Sequence, residues 1–190
     1  MMQHEIVNKM FTMGQLAEKT GADLSRWKLR YGLDRELSPR SFASGRANYI
    51  WIQELICYVS GGMWDYGGQG KSEPDFWMGE DWCEAKAYDK EKPHLNVDVA
   101  ASSFFANNCK VKDHKALLEE SDTAAKNFLF KHSYDGNDYY LLTSTRNLDC
   151  ELEEIEMVFV ETDLLIECLD PKSHFKKVNM SQLFDKVGRI

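Results

Sequence analysis

The chain has 190 residues, enough for one domain or one domain with a small appendage. With 43% hydrophobic residues and abundant Trp, Tyr and Phe it can build a sizeable core, which excludes wholesale disorder, and no apolar run approaches a membrane span. The net charge of −8 argues against a surface that binds polyanions indiscriminately, yet residues 1–50 carry eight Lys or Arg against five Asp or Glu, while the remaining 140 carry fifteen against twenty-six.

Composition therefore neither favours nor excludes DNA as a partner, because a folded chain can turn its acidic stretch away from a basic groove. The first residues, MMQHEIVNKMFTMGQ, lack the apolar core and cleavage site of a signal peptide, so a cytoplasmic protein with no membrane association is expected. The five cysteines are odd in number and include no Cys-x-x-Cys, which speaks against disulfides and a structural zinc site and for buried thiols in a reducing compartment.

Residues 11–33 predict two short helices set at an angle. Thr12 can cap a helix through Gln15 to Lys19, Gly21 supplies a tight turn, and Asp23 or Ser25 can cap the second. Leu16, Ala17, Leu24, Trp27 and Leu29 supply the apolar set between them. The pattern is a helix-turn-helix, or else two packing helices of a larger fold. As a reader of DNA, its second helix would present Ser25, Arg26, Lys28 and Arg30. The polar loop after it, with Arg35, Arg40 and Arg46, offers phosphate contacts or plain solvated surface.

Arg46 to Ser60 reads as a strong helix, stopped by Gly61-Gly62. Ala47, Ile50, Trp51, Leu55 and Tyr58 form an apolar stripe, and Glu54 shares it at spacings of four. An inward carboxylate is costly unless paired or metal-bound, so Glu54 is expected to aim at a site, the alternative being a boundary Glu reaching solvent. Met63 to Tyr66 predicts a first strand, followed by a Gly67-to-Gly70 turn that either approaches a ligand or simply turns the chain.

Ser72 to Tyr88 is the stretch that organises the chain. A two-residue hairpin at Gly79-Glu80 would pair Met78 with Asp81, Trp77 with Trp82 and Asp75 with Glu84, since a Gly-X pair suits a type II′ turn. Lys86 follows on the same face, and Cys83, Ala85 and Ala87 form a small apolar face on the other. A loop of odd length would throw Asp75 to the wrong side. Two carboxylates and an amine on adjacent strands can hold a divalent metal against a phosphodiester, and hard oxygen donors suit Mg²⁺, with Mn²⁺ as a substitute.

Asp89 to His94 is a charged loop, and Asn96 to Asn108 and His114 to Lys131 predict helices. Asp138 to Thr145 predicts a buried strand, so that helix and strand together form a crossover returning beside the central strand. Glu156 to Val160 reads as a further strand, followed by a short helix or second strand, and Val178 to Val187 as a final helix. The expected class is α/β, a central mixed sheet flanked by helices, with a small helical element over residues 1–40 and the main unit over 41–190.

Two family resemblances follow from these motifs. Thr12 to Gly21, Thr-x-Gly-x-Leu-Ala-x-x-Thr-Gly, resembles the start of MerR-type regulators and would make the N-terminal element a DNA reader. Pro74-Asp75, then Glu84-Ala85-Lys86, preceded by a helix carrying Glu54 and followed by a helix-strand unit, resembles the PD-(D/E)XK nuclease superfamily over about residues 44–146. That likeness implies a restriction-endonuclease-like core and a metal held by Asp75, Glu84 and the Ala85 carbonyl. Glu54 would serve a second metal or its water. Lys86 would orient the attacking water and stabilise charge on the phosphorus.

The function expected on this resemblance is a Mg²⁺-dependent endonuclease for double-stranded DNA, leaving 5′-phosphate and 3′-hydroxyl ends. It is most like a compact type II restriction enzyme, which acts as a homodimer. A structure-selective repair, recombination or homing nuclease of the same fold is the alternative, as is a non-enzymatic regulator that uses residues 11–33. The scattered histidines and the absence of a P-loop or dinucleotide glycine motif disfavour His-metal chemistry and any nucleotide cofactor.

Overall fold

Residues 156–161, EMVFVE, carry four apolar side chains in succession, a pattern suited to a strand covered on both faces. The computed structural model describes residues 3–25, 46–67, 74–96, 138–144, 151–170 and 177–190. In it β7 (Glu156–Glu161) buries Met157 to Val160 inside a seven-stranded sheet. The sheet order is β2 (Asp65–Tyr66), β3 (Phe76–Met78), β4 (Asp81–Ala87), β6 (Tyr139–Thr143), β7, β1 (Lys9–Thr12) and β9 (Gly188–Arg189). It is mixed: β4 runs parallel to β6 and β1 to β9, and the other neighbours are antiparallel. A separate two-stranded ribbon pairs β5 (His94–Asn96) with β8 (Lys177–Asn179).

Strand alternation sends successive side chains to opposite faces. One core cluster gathers Phe76, Cys83, Ala85, Leu141 and Phe159 under α3 (Arg46–Val59), which contributes Ile52, Leu55, Ile56 and Val59. The other gathers Tyr140, Leu142, Val158 and Val160 against α4 (Thr162–Glu167) and α5 (Met180–Lys186), through Leu165, Ile166 and Leu183. Each fully buried Leu, Ile, Val or Phe contributes roughly 1.5–3 kcal/mol of transfer free energy, so the two-sided sheet is the main source of stability. The protein is thus a mixed α/β fold with helices on both faces of a mixed central sheet.

The hairpin has the expected register as far as its ladder extends, with Met78 opposite Asp81, Trp77 opposite Trp82 and Phe76 opposite Cys83, and the ladder stops before the expected Asp75–Glu84 pair. Gly79 has φ of 66° whereas Glu80 is not in the positive-φ region, which is the signature of a type II′ turn. The parallel pairing of Ala85 with Leu141 requires a crossover between β4 and β6, as anticipated. The two helices expected within that connection lie outside the described residues.

At the N-terminus, α1 (Gln3–Ile6) precedes β1, and α2 (Met13–Thr20) starts at Thr12 with a capping box to Gln15 and ends at Gly21, close to expectation. Asp23 Oδ1 accepts the Ser25 N–H at 2.9 Å, an N-cap geometry at the point where the described segment ends. No local pattern marks Lys9–Thr12 as a strand, yet it lies between β7 and β9. Met13, Leu16, Ala17 and Leu24 belong to the same core cluster as Leu55 and Phe76, so residues 9–24 share their core with the main sheet.

Other boundaries moved. The first strand is only Asp65–Tyr66, because Ser60 holds the preceding turn by accepting the Trp64 N–H on its hydroxyl at 3.1 Å. His94 and Asn96 belong to β5 rather than to a loop and a helix. The last helix is preceded by β8, since Val178 is drawn into the ribbon opposite Leu95, and Asn179 then caps α5 through the Gln182 N–H. Of the cysteines, Cys83 and Cys168 are buried free thiols and Cys57 is half-buried, while Cys109 and Cys150 lie outside the described residues. Among the described residues, no helix is long and apolar enough to cross a membrane.

Candidate active site

The β3–β4 ladder ends at Phe76 and Cys83, leaving the next N–H on that edge of β4 without a backbone partner from β3. Asp75 supplies one, because its Oδ2 accepts the Ala85 N–H at 2.9 Å. Its other oxygen, Oδ1, accepts from Gln53 Nε2 on α3 at 2.8 Å. Ala85 turns its methyl into the core under α3, which sends Glu84 and Lys86 to the opposite face. There Lys86 Nζ donates to Glu84 Oε1 at 2.5 Å. Asp75, Glu84, Ala85 and Lys86 all line one open depression of about 760 Å³.

The backbone of Asp75 is fixed as well. Gly67 donates its N–H to the Asp75 carbonyl at 3.0 Å. A Cβ on Gly67 would stand 2.0 Å from the Pro74 carbonyl oxygen. The close approach that a glycine permits here is thus to the Pro74-Asp75 backbone; residues 68–70 of that turn lie outside the described residues. On the hairpin face that alternation gives to Glu84, Trp77 and Trp82 pack edge to face with ring centroids 5.3 Å apart.

Burial raises the pKa of both carboxyl groups. For Asp75 the loss of water outweighs the opposing Ala85 N–H, the Lys86 charge and the Gln53 amide. For Glu84 it outweighs Lys86, and the nearby Asp75 pushes in the same upward direction. Glu84 is only 9% exposed. Two partly desolvated carboxyls beside one ammonium leave a surplus of negative charge that a divalent cation would offset. Their hard oxygens suit Mg²⁺ or Mn²⁺ better than softer metals. The acidic side chains that line the depression among the described residues are Asp75, Glu84 and Asp89, and of these Asp75 and Glu84 are the two drawn together beside Lys86.

Glu54 is a correction. It is exposed and does not line the depression; the buried polar residue of α3 that bonds a site carboxylate is its neighbour Gln53, 2% exposed, which supports Asp75 from behind without lining the depression itself. The reason is helix rotation. Ile52, Leu55, Ile56 and Val59 form the stripe against the sheet, and Tyr58 lies outside it, exchanging hydrogen bonds with the Asp23 backbone. That stripe also has i, i+3, i+4, i+7 spacing and shares Leu55 with the one read from sequence, so periodicity alone does not choose between them. Gln53 lay within reach of sequence reasoning as a polar residue flanking the second stripe.

Of the expected DNA contacts, Ser25 is exposed at the end of a described segment. Arg26, Lys28, Arg30, Arg35 and Arg40 lie outside the described residues, as does the side chain of Arg46, the first residue of α3. The structure instead brings Lys92, His94, Asn96 and Lys177 to the same depression as the carboxylates, from two distant parts of the chain that no local pattern connects. A second depression of about 540 Å³, lined by Thr12, Lys90 and Glu154 among others, meets the first at Asp89.

Comparison with protein-family models, with curated proteins and with solved structures finds no match.

Proposed function

We propose that this protein is a Mg²⁺-dependent endonuclease acting on double-stranded DNA, with a core of the PD-(D/E)XK type. The observation that carries the reading is the hydrogen bond from the Ala85 N–H to Asp75 Oδ2. It ties Asp75 to the strand bearing Glu84 and Lys86, so that all three groups open on one depression. The order of elements supports it too: α3, β2, β3 and β4 in sequence, then β6 returning parallel beside β4, is the order by which the chain resembles that superfamily.

Asp75 and Glu84 would hold the metal. When bound, it supplies a Lewis acid for the scissile phosphate and lowers the pKa of the attacking water. Gln53 and the Ala85 N–H hold the Asp75 carboxylate in one orientation, and preorganisation of this kind is what makes an electrostatic site effective. Lys86, which is paired with Glu84, would donate to a phosphate oxygen as negative charge grows there. Hydrolysis by this arrangement would leave a 5′-phosphate and a 3′-hydroxyl. A homodimer, as in type II restriction enzymes, would cut both strands of a palindrome.

The test is incubation of supercoiled plasmid with the wild type, Asp75→Ala and Lys86→Ala proteins in Mg²⁺ or Mn²⁺. Discrete products are expected from the wild type alone, and none with EDTA. Sequencing the ends of a whole-genome digest then separates the finer readings. One recurrent palindrome indicates a restriction enzyme, and cleavage confined to branched or mismatched substrates indicates a repair nuclease. DNA left intact under every metal by folded protein, with tight binding to an operator, would overturn the proposal in favour of a regulator.

A further inference from the structure

The depression holding Asp75, Glu84 and Lys86 has a second wall, the β5–β8 ribbon. The ribbon is antiparallel, with His94 opposite Asn179, Leu95 opposite Val178 and Asn96 opposite Lys177. Leu95 and Val178 are 6% and 0% exposed and belong to the second core cluster. Alternation therefore places His94, Asn96 and Lys177 together on the other face, and all three line the depression, joined by Lys92 just before the ribbon.

This is a concentration of donors in a chain of net charge −8. Lys92 Nζ lies 3.6 Å from Asp89 Oδ2, and His94 Nε2 lies 3.6 Å from Asp170 Oδ2. These acidic neighbours steady the side chains without exhausting them, since an ammonium has three donors and Lys92 remains 61% exposed. A DNA strand presents one phosphate per nucleotide. Those flanking the scissile one must also be brought against an acidic protein, and a metal at Asp75 and Glu84 would offset charge only at the cleavage point.

We infer that the outward face of the β5–β8 ribbon, through Lys177, Asn96 and Lys92, is a phosphate-binding subsite for the strand being cut, next to the scissile phosphate. The inference rests on the nuclease reading. Lys and Asn contacts of this kind position a strand without reading its bases. The subsite would therefore serve every sequence equally and leave discrimination to other parts of the protein.

The test is fluorescence anisotropy of a short labelled DNA duplex over a range of KCl concentrations, with Ca²⁺ replacing Mg²⁺ and the duplex checked to be intact afterwards. Removing one lysine that neutralises a phosphate should lower the slope of log Kd against log salt by about 0.9. Lys177→Ala and Lys92→Ala should each show that decrease, to the same extent on unrelated duplex sequences. Lys90→Ala should not, because Lys90 lines the other depression and not the one that holds Asp75, Glu84 and Lys86. All of these lysines are exposed, and thermal melts of each variant check the fold. Wild-type slopes in Lys177→Ala and Lys92→Ala, from a protein that binds and cleaves DNA, would overturn the subsite and leave the nuclease reading standing. A wild type that neither binds nor cleaves would remove both.

Discussion

Gln53 Nε2 lies 2.8 Å from Asp75 Oδ1, so a helix holds from one side the carboxylate that the Ala85 N–H holds from the other. Gln53→Ala deletes one of these two bonds and leaves a gap at a residue 2% exposed. A loss of about 1–2 kcal/mol in folding stability is expected from the hydrogen bond. A partner that orients a ligating carboxylate is typically worth about 10–100-fold in metal affinity. Calorimetric titration with Mg²⁺ or Mn²⁺, alongside urea unfolding, measures both. Metal affinity equal to wild type would show that Asp75 does not depend on Gln53 for its orientation.

Glu54 gives the opposite expectation. It is exposed on α3 and absent from the lining of the depression. Glu54→Ala should change stability by no more than about 0.5 kcal/mol and leave plasmid cleavage intact. A large loss of cleavage with normal folding would return Glu54 to the site and require α3 to rotate when substrate binds.

Gly67→Ala should be more damaging than a surface glycine substitution usually is. The added methyl would stand 2.0 Å from the Pro74 carbonyl oxygen, and backbone cannot yield as a flexible side chain can. Relief requires Pro74-Asp75 to move away from β2, which breaks the 3.0 Å bond from the Gly67 N–H to the Asp75 carbonyl and displaces the carboxylate. Misplacement by about 1 Å can cost on the order of 100-fold in rate. Single-turnover cleavage kinetics should show a rate loss larger than any loss of DNA affinity; equal losses in both would contradict a local displacement of Asp75.

The carboxyl pair sets a pH dependence. Burial raises Asp75 and Glu84 above the ordinary carboxylate range of about 4. A carboxyl with a raised folded pKa binds protons more tightly folded than unfolded. It costs the fold nothing at pH below the unfolded value, and the cost grows as pH rises through the unfolded pKa to the folded one. Metal ligation needs the charged form, so stabilisation by Mg²⁺ should grow with pH across that window and fade as pH falls through the raised values. Thermal melts with and without Mg²⁺ at a series of pH values measure this. A Mg²⁺ shift that persists undiminished down to the ordinary carboxylate range would contradict ligation by this pair.

The β3–β4 hairpin was determined by sequence alone. A Gly-X turn fixes loop length, loop length fixes register from Met78–Asp81 to Phe76–Cys83, and alternation puts Glu84 and Lys86 on one face, whereas Asp75, beyond the end of β3, is held by the Ala85 N–H and Gln53. The same local logic located the Thr12 cap, the Gly21 turn and the strands β6 and β7. Tertiary structure decided what two or more distant segments settle jointly. The rotation of α3 depends on the sheet beneath it, so Gln53 rather than Glu54 meets Asp75. The place of β1 beside β7 depends on a partner almost 150 residues away. The wall carrying Asn96 and Lys177 exists because β5 pairs with β8 and both turn an apolar residue, Leu95 and Val178, into the second core cluster, and no periodicity within either short strand records the pairing.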